Sequence, residues 1–175
     1  MYAKTKLEGE GRVLAAYPDA LVVRTTMFGW TLPTAPRPKF AEEILAALTA
    51  RRSIKLFRDA IFSPLHVDLL SECLLELAEV DASGVLNVGA NAPISKAQFG
   101  YLIAEIFGLD PSPIEVTSVD DVQRAARRTK NVGLDVTEVR KLLGWLPSVR
   151  DGVELLYEEA FDGTAAKIRG REMYP

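Results

Sequence analysis

The segment Ala20-Leu-Val-Val-Arg-Thr25 indicates the fold of this 175-residue chain more clearly than any other stretch. It is short, apolar and rich in valine, which is typical of a strand buried on both faces of a parallel sheet. Residues 2–17 precede it with apolar residues at helical spacing, and Pro18 ends that pattern. Residues 28–38 follow it with Gly29 and three prolines, so they are expected to form a loop. A helix, a buried strand and a loop in this order favour an α/β fold.

Strands and helices continue to alternate along the chain, which predicts α/β with parallel strands. Residues 58–65 are expected to form a loop. The strand at 20–25 can pair with a strand at 85–88, but its other edge has no obvious partner, so the parallel sheet is expected to be incomplete. Helices are expected over residues 40–50, 67–80, 94–107, 136–143 and 151–161, and further strands over 53–57 and 114–117.

Capping residues predict the ends of two of these helices. Ser95 with Gln98 three residues later is a capping box, and so is Asp135 with Glu138. Gly144 is expected to end the helix that begins near Val136, because glycine readily adopts the left-handed conformation of a C-cap.

Composition excludes several classes of function. The net charge is −3 with no cluster of positive charge, so no nucleic-acid partner is expected. No apolar run reaches the roughly 18 residues of a transmembrane helix, and residues 1–12 lack the apolar core of a signal peptide. We therefore expect a cytoplasmic protein without a membrane partner.

A metal site is not expected, because one histidine and one cysteine cannot supply the usual zinc ligands. Cys73 lies in an apolar helical stretch and is expected to be a small buried hydrophobic residue. His66 precedes a helix, where an imidazole can bond backbone groups, so a structural role is expected. Trp145 and the aromatic residues Phe99, Tyr101 and Phe107 are expected in the core.

Tyr2 and Lys6 are four residues apart and share one face of a helix. An ammonium group beside a phenol lowers the pKa of the phenol, which lets a tyrosine act as a general acid or base near neutral pH. The same spacing also occurs in a solvent-exposed pair that contributes only about 0.2–0.5 kcal/mol. The pattern by itself leaves both interpretations open.

Six segments in order resemble the extended short-chain dehydrogenases/reductases of the dTDP-4-dehydrorhamnose reductase type. The first is similar to the active-site helix with its YxKxKxxxE-like string, and the resemblance extends to about Tyr157. The segments are Tyr2–Glu10, Ala20–Gly29, Phe62–Asp68, Gly84–Gly89, Ile94–Gly100 and Arg127–Asn131 with Leu134–Asp135.

The resemblance implies catalytic and cofactor-binding roles near the start of the chain. Tyr2 would be the catalytic acid or base that exchanges a proton with the sugar oxygen during hydride transfer. Lys6 would hold the ribose of the nicotinamide and act with Tyr2 in catalysis. Thr25 and Thr26 would lie near the nicotinamide. The complete enzyme would use NADP or NAD.

The resemblance also implies a nucleotide-sugar substrate. Met27 and Phe28 would lie near the sugar, although Met27 replaces a tryptophan that contacts the sugar in the reductases. Arg127, Arg128 and Lys130 are candidates for the substrate diphosphate, since guanidinium groups match phosphate oxygens. A solvated basic surface is an equally acceptable interpretation of this cluster.

The glycine-rich turn that holds the cofactor pyrophosphate in this family is missing, because no G-x-x-G-x-x-G string occurs in the chain. The resemblance therefore covers the C-terminal, substrate-binding half, which is expected to bind no cofactor and to be inactive alone. Residues 1–30 and 81–95 would be a remnant of the dinucleotide-binding sheet with the active-site helix. Residues 31–80 and 96–162 would form a small mixed α/β substrate-binding lobe, and 163–175 a polar tail.

Other interpretations remain open at this point. The chain could be a non-catalytic binding or regulatory module, as the regulatory subunit of methionine adenosyltransferase is within this fold, or part of a nucleotide-sugar epimerase or dehydratase. The open edge of strand 20–25 and one face of helix 2–17 should lack partners within the chain. Exposed edges and apolar faces promote association, so the partner is expected to be the N-terminal half or a second copy.

Overall fold

The structure is a computed structural model that describes residues 2–32, 34–35, 37–122 and 129–170. These residues form the mixed α/β fold that the sequence predicts. The α-helices of the described residues are Tyr2–Ala16 (α1), Phe40–Thr49 (α2), Val67–Glu79 (α3), Lys96–Ile106 (α4), Thr137–Leu143 (α5), Val149–Phe161 (α6) and Thr164–Arg169 (α7). The strands are Leu21–Phe28 (β1), Ile54–Phe57 (β2), Ile61–Phe62 (β3), Pro64–His66 (β4), Gly84–Val88 (β5), Ile94–Ser95 (β6), Ile114–Thr117 (β7) and Asn131–Val132 (β8).

The first sheet has the order β4-β1-β5 and is parallel throughout. Residues 21–25 of β1 pair with β5, and residues 26–28 pair with β4. Within the described part of the chain, residues 21–25 thus have a strand partner on one side only.

The prediction that β1 is buried on both faces is wrong for the described residues. Most of its side chains are half-buried, Arg24 and Met27 are exposed, and only Phe28 is buried. The neighbouring helix α1 gives little cover, because none of its described side chains is buried. The valine-rich sequence therefore indicates the strand correctly but overestimates its burial.

The prediction of a loop over residues 58–65 is also wrong, because β3 and β4 lie there. Strand β3 pairs antiparallel with β6 and parallel with β8, and β4 joins β1. Strands of two or three residues show no periodicity, so only their distant partners reveal them. As a result, residues 64–66 belong to the sheet of β1, although the predicted division places them in the substrate-binding lobe.

Two further strands complete the architecture. Strands β2 and β7 form a separate parallel pair, in which Leu56 lies opposite Val116. Helix α4 packs close to this pair, because a Cβ atom on Gly100 would lie only 2.2 Å from a Leu56 side-chain methyl. The chain continues from β2 of this pair directly into β3 and β4.

Helix ends are confirmed in two of three predicted cases. The Ser95 hydroxyl accepts from the Gln98 N–H, and the Gln98 side chain accepts from the Ser95 N–H. Gly144 ends α5 in the left-handed conformation, with φ of 75°. The full box of Asp135 with Glu138 is wrong, because α5 begins at Thr137 with Val136 as its N-cap. The Asp135 carboxylate nevertheless accepts from the Thr137 N–H at 3.0 Å.

The last two helices of the described chain, α6 and α7, differ from the prediction. Helix α6 begins at Val149 with Ser148 as its N-cap, two residues before the predicted start at Asp151. Residues 164–169 form α7, although a polar tail is predicted there. Its residue Ala165 is fully buried, so tertiary packing and not helix propensity holds this short helix.

The core is centred on an aromatic cluster that Phe99 joins. The Phe99 ring lies 5.2 Å from Phe28, 5.5 Å from Phe62 and 5.9 Å from Phe40. Cys73 is fully buried, as expected.

The predicted core positions of Tyr101 and Trp145 are wrong. Tyr101 is 44% exposed and Trp145 is 37% exposed. The Trp145 ring N–H donates to the Glu76 carboxylate at 2.9 Å, which keeps its polar edge at the surface.

No helix in the described residues is both long enough and apolar enough to cross a lipid bilayer.

Candidate functional site

The parallel strands β4, β1 and β5 end at one edge of their sheet, and ligands of open parallel sheets bind at such carboxyl edges. A cleft of about 350 Å³ opens where β1 ends. We call it the β1 cleft. Its lining residues come from the end of β1, the following loop and the first turn of α3: Met27, Phe28, Gly29, Trp30, Thr31, Lys39 and Val67.

Gly29 allows the chain to leave β1 and line this cleft. Its φ is 156°, and a Cβ atom at this position would lie 2.8 Å from the Val67 Cγ1 atom. A larger residue would therefore collide with the Val67 side chain unless that side chain shifts.

A buried carboxylate fixes both ends of the loop that follows. Glu42 is only 2% exposed and lies in the first turn of α2. It accepts from the Thr31 hydroxyl at 2.6 Å and from the Lys39 N–H at 3.0 Å. Sequence reasoning missed Glu42, since a glutamate in the first turn of a helix is common and carries no specific signal.

A second cleft of about 300 Å³ lies beside β3 and contains Lys130. We call it the β3 cleft. The Lys130 ammonium lies 3.1 Å from the Asp59 carboxylate and also contacts Asp120. Hydrogen bonds from Ser118 and Val119, together with Lys130, hold the pKa of Asp59 well below its usual range. Both carboxylates raise the pKa of Lys130, so it stays charged.

Apolar side chains dominate the rest of the β3 cleft, and a second cation lies at its edge. The Lys96 ammonium is 4.5 Å from the centre of the Phe40 ring. An apolar cleft with an ammonium group near an aromatic ring suits a ligand that has a flat apolar part, and Asp59 and Asp120 already compensate the charge of Lys130. The remaining lining residues are Phe57, Ala60, Ile61, Phe62, Val119, Thr129 and Val132.

The aromatic cluster separates the two clefts. Phe28 lines the β1 cleft, Phe62 lines the β3 cleft, and Phe99 contacts both rings from the core. The positions of the two clefts relative to each other therefore depend on Phe99.

The predicted cofactor-binding residues lie on α1 and β1. Thr25 and Thr26 are half-buried, and Thr26 pairs with Pro64 of β4. The Thr25 hydroxyl oxygen is buried and has no hydrogen-bond partner within the described residues. A buried hydroxyl normally has a partner, so Thr25 is left with an unsatisfied polar atom within the described residues. Lys6 is exposed on α1.

The predicted substrate residues that the structure describes differ in their exposure. Met27 is 61% exposed at the mouth of the β1 cleft, whereas Phe28 is 7% exposed and belongs mainly to the core. The backbone of Tyr2 begins α1, but its side chain lies outside the described part. Arg127 and Arg128 also lie outside the described residues, next to the β3 cleft in sequence.

A bidentate ion pair holds α1 on β1. Arg24 Nε donates to Glu10 at 2.9 Å, and Arg24 Nη2 donates at 2.6 Å. Glu10 belongs to the string that resembles the family's active-site helix, and Arg24 belongs to the string of the following strand. The pair thus connects two of the six segments on which the resemblance rests.

Replacing Arg24 with glutamine should loosen α1 selectively. Because solvent reaches both side chains, which are 45% and 18% exposed, the contribution of the pair to overall stability is expected to be small. Hydrogen exchange measured by mass spectrometry should show several-fold faster exchange over residues 2–16 and little change in α4. The matched control is Arg150→Gln, which removes an exposed pair with Glu105. Equal exchange of α1 in both variants would contradict the role of Arg24.

His66 has the structural role that the sequence indicates. It is fully buried, it is the N-cap of α3, and its Nδ1 atom accepts from the Asp68 N–H at 3.3 Å. Its Nε2 atom lies 3.2 Å from Glu159 Oε2. Burial lowers the pKa of His66. Burial, with the negative charge of Asp68 nearby, raises the pKa of Glu159 to about 7. Both groups therefore favour their neutral forms.

The family model of the RmlD substrate binding domain matches residues 1–161. The chain belongs to this family. A probable low-salt glycan biosynthesis reductase from Haloferax volcanii is 31% identical over 162 residues, or 91% of this chain and 54% of the relative. A dTDP-4-dehydrorhamnose reductase from Mycobacterium tuberculosis is 31% identical over 130 residues, or 74% of this chain and 42% of the relative. The RmlD-type chain thus spans about half the length of the curated relatives it matches.

Solved structures show the same fold. A dTDP-4-dehydrorhamnose reductase from Clostridium acetobutylicum superimposes with a TM-score of 0.77 at 21% identity, covering 90% of this chain and 54% of that one. The Bacillus anthracis reductase in complex with NADP gives a TM-score of 0.74 at 22% identity, with the same coverage. The resemblance inferred from the six segments to the RmlD-type reductases is therefore confirmed.

Proposed function

We propose that this chain is the C-terminal, substrate-binding portion of an NAD(P)-dependent nucleotide-sugar reductase similar to the dTDP-4-dehydrorhamnose reductases. The family match over residues 1–161 carries the proposal. The two clefts support it, because they lie at the carboxyl edge of β1 and beside Lys130. In this proposal the β1 cleft receives the sugar near Met27, and the β3 cleft receives the nucleotide with Arg127, Arg128 and Lys130 near the diphosphate.

The residues of this chain fit only one end of a nicotinamide cofactor. The buried Thr25 hydroxyl, which lacks a partner in the described residues, could bond the nicotinamide end. The pyrophosphate requires backbone N–H groups of a glycine-rich turn at a helix N-terminus, and the sequence has no G-x-x-G-x-x-G string. We therefore propose that the 175 residues alone hold no complete NAD(P) site and need a dinucleotide-binding unit from other polypeptide.

In the assembled enzyme the cofactor would supply the hydride for the sugar carbonyl. The contribution of this chain is to place the sugar and to exchange a proton. We assign the proton to the Tyr2 hydroxyl and the ribose contact to Lys6, one turn further along α1. Thr25 and Thr26 complete the site from β1.

Exposed apolar side chains on and after α1 support a contact with a further unit. Leu7, Val13 and Tyr17 are 61%, 45% and 73% exposed on or directly after this helix. Together with the open side of residues 21–25, they form a surface on which a dinucleotide-binding unit or a second copy would pack.

Binding and turnover by the 175-residue chain test the proposal together. We expect calorimetry to detect binding of thymidine diphosphate, and we expect no NADPH-dependent reduction of a 4-keto nucleotide sugar. Turnover by this chain alone would contradict the claim that it needs a second unit. Absence of any nucleotide diphosphate binding would contradict the substrate assignment.

Replacing Lys130 with alanine should weaken thymidine diphosphate binding about tenfold or more, because Asp59 and Asp120 would then repel the diphosphate. Calorimetry measures the change, and higher salt should reduce it. Lys141→Ala is the matched control, since Lys141 forms an exposed pair with Glu138 away from both clefts. Equal affinity in the two variants would remove Lys130 from the site.

A non-catalytic module of the same fold is the second candidate, because Met27 stands exposed where the reductases have a tryptophan. Part of an epimerase or dehydratase is a further alternative, as a UDP-glucuronic acid 4-epimerase from Bacillus cereus shares the fold with a TM-score of 0.65. Adding a dinucleotide-binding unit separates these candidates. A reductase, epimerase or dehydratase would then catalyse its own reaction, whereas a non-catalytic module would catalyse none.

A further inference from the structure

A buried ion pair connects helix α7 to Glu42, the residue that bonds two lining residues of the β1 cleft. The Arg169 guanidinium contacts the Glu42 carboxylate across 127 positions of sequence. The two side chains are 15% and 2% exposed. On the same helix Ala165 is fully buried. The helix is therefore docked by packing at its start and by charge at its end.

The same carboxylate organises the loop that lines the cleft. Glu42 accepts from the Thr31 hydroxyl and from the Lys39 N–H, which are the two lining residues at either end of that loop. A buried carboxylate requires a compensating charge or several hydrogen bonds. Arg169 provides the charge, so the positions of Thr31 and Lys39 depend on α7.

We propose that Arg169 and Glu42 are positioning residues for the β1 cleft. Their ion pair holds Thr31 and Lys39, through Glu42, in the positions that receive the sugar of the nucleotide sugar. The ligand in this inference rests on the proposed function, whereas the mechanical link between α7 and the loop does not. Helix α7 also lies beyond the residues 1–161 that the family model matches.

Other ion pairs of the described surface lack these features. Arg150 and Glu105 have side chains that are 48% and 62% exposed, and their pair connects two surface helices. Solvent screens such a pair, and its loss has little effect on the groups around it. Arg150→Ala is therefore a matched control for Arg169→Ala.

Trp30 reports on the loop. It lines the cleft directly before Thr31 and is 8% exposed. The chain has two tryptophans, so Trp145→Phe leaves Trp30 as the only one. In this background, Arg169→Ala should shift Trp30 emission to longer wavelength. Exchange of the amides over residues 31–40 should become on the order of tenfold faster, because Glu42 loses its partner.

Affinity for a probe ligand separates positioning from simple stability. Arg169→Ala should weaken binding of a thymidine diphosphate sugar on the order of tenfold, while Arg169→Lys restores part of the affinity. Binding of thymidine diphosphate, which has no sugar on its terminal phosphate, should change much less. Thr31→Val removes only the hydroxyl bond to Glu42 and should also speed exchange of the loop, which keeps the test valid if Arg169→Ala folds poorly.

A purely structural role predicts a different result. Exchange would then rise in proportion across α4, α6 and the loop, and both ligands would lose affinity equally. That outcome, or unchanged exchange of residues 31–40 in both Arg169→Ala and Thr31→Val, would overturn the inference. If neither ligand binds the unmodified chain, the proposed function fails, and the exchange data still decide whether Arg169 holds the loop.

Discussion

Phe99→Ala should lower the free energy of unfolding by about 3–5 kcal/mol, the usual cost of deleting a large aromatic side chain from a well-packed core. Phe99 has no exposed surface and contacts the rings of Phe28, Phe40 and Phe62. Alanine would leave a cavity between three rings that belong to different elements, so the surrounding chain cannot easily close it. Urea denaturation followed by circular dichroism measures the change.

The control lies two positions further along the same helix. Tyr101 is 44% exposed, so Tyr101→Ala should change the free energy of unfolding by less than about 1 kcal/mol. A similar loss in both variants would mean that α4 does not present its Phe99 face to the core. Because Phe99 also separates the β1 and β3 clefts, Phe99→Ala should weaken ligand binding at both.

Glu159→Gln should remove a fall in stability that the unmodified protein shows as pH rises from about 4.5 to 7. Burial raises the pKa of Glu159 to about 7, so the folded state keeps the proton that the unfolded chain releases near its ordinary value of 4.5. The folded state binds more protons in this window, and stability therefore decreases with increasing pH. Because each tenfold change in proton affinity corresponds to about 1.4 kcal/mol, the loss of stability reaches about 3 kcal/mol at most.

The burial of His66 changes the pH dependence of stability in the opposite direction. Burial lowers its pKa, so its contribution is present above its ordinary value of 6.5 and is lost as pH falls. Asp68 adds negative charge beside both groups. Denaturation measured at pH 5 and pH 8 should therefore show that raising the pH stabilises Glu159→Gln relative to the unmodified chain, because only the contribution of His66 remains in the variant.

Glu158→Gln provides the matched control, because Glu158 precedes Glu159 on α6 but is exposed. It replaces the same carboxyl group by an amide and should leave the pH profile of unfolding within about 0.5 kcal/mol. If the two variants have the same profile, Glu159 does not carry its proton in the folded state.

The sequence determined the parts of this protein that depend on local patterns. The valine-rich segment before Thr25 predicted β1, and the Ser95–Gln98 box and Gly144 predicted helix ends, because capping and strand propensity act over a few residues. Six short strings in a fixed order predicted the family. His66 could be placed correctly because its role depends on the helix that directly follows it.

Only the tertiary structure decided features that join distant positions. Strands β3 and β4 are too short to produce a periodic pattern and exist through pairing with β1, β6 and β8. Glu42 and Arg169 are 127 positions apart, and each looks like an ordinary surface charge until folding buries them together. Glu159 likewise acquires its raised pKa from burial beside His66 and Asp68. Burial is a property of the whole packed chain, so no single stretch of sequence can specify it.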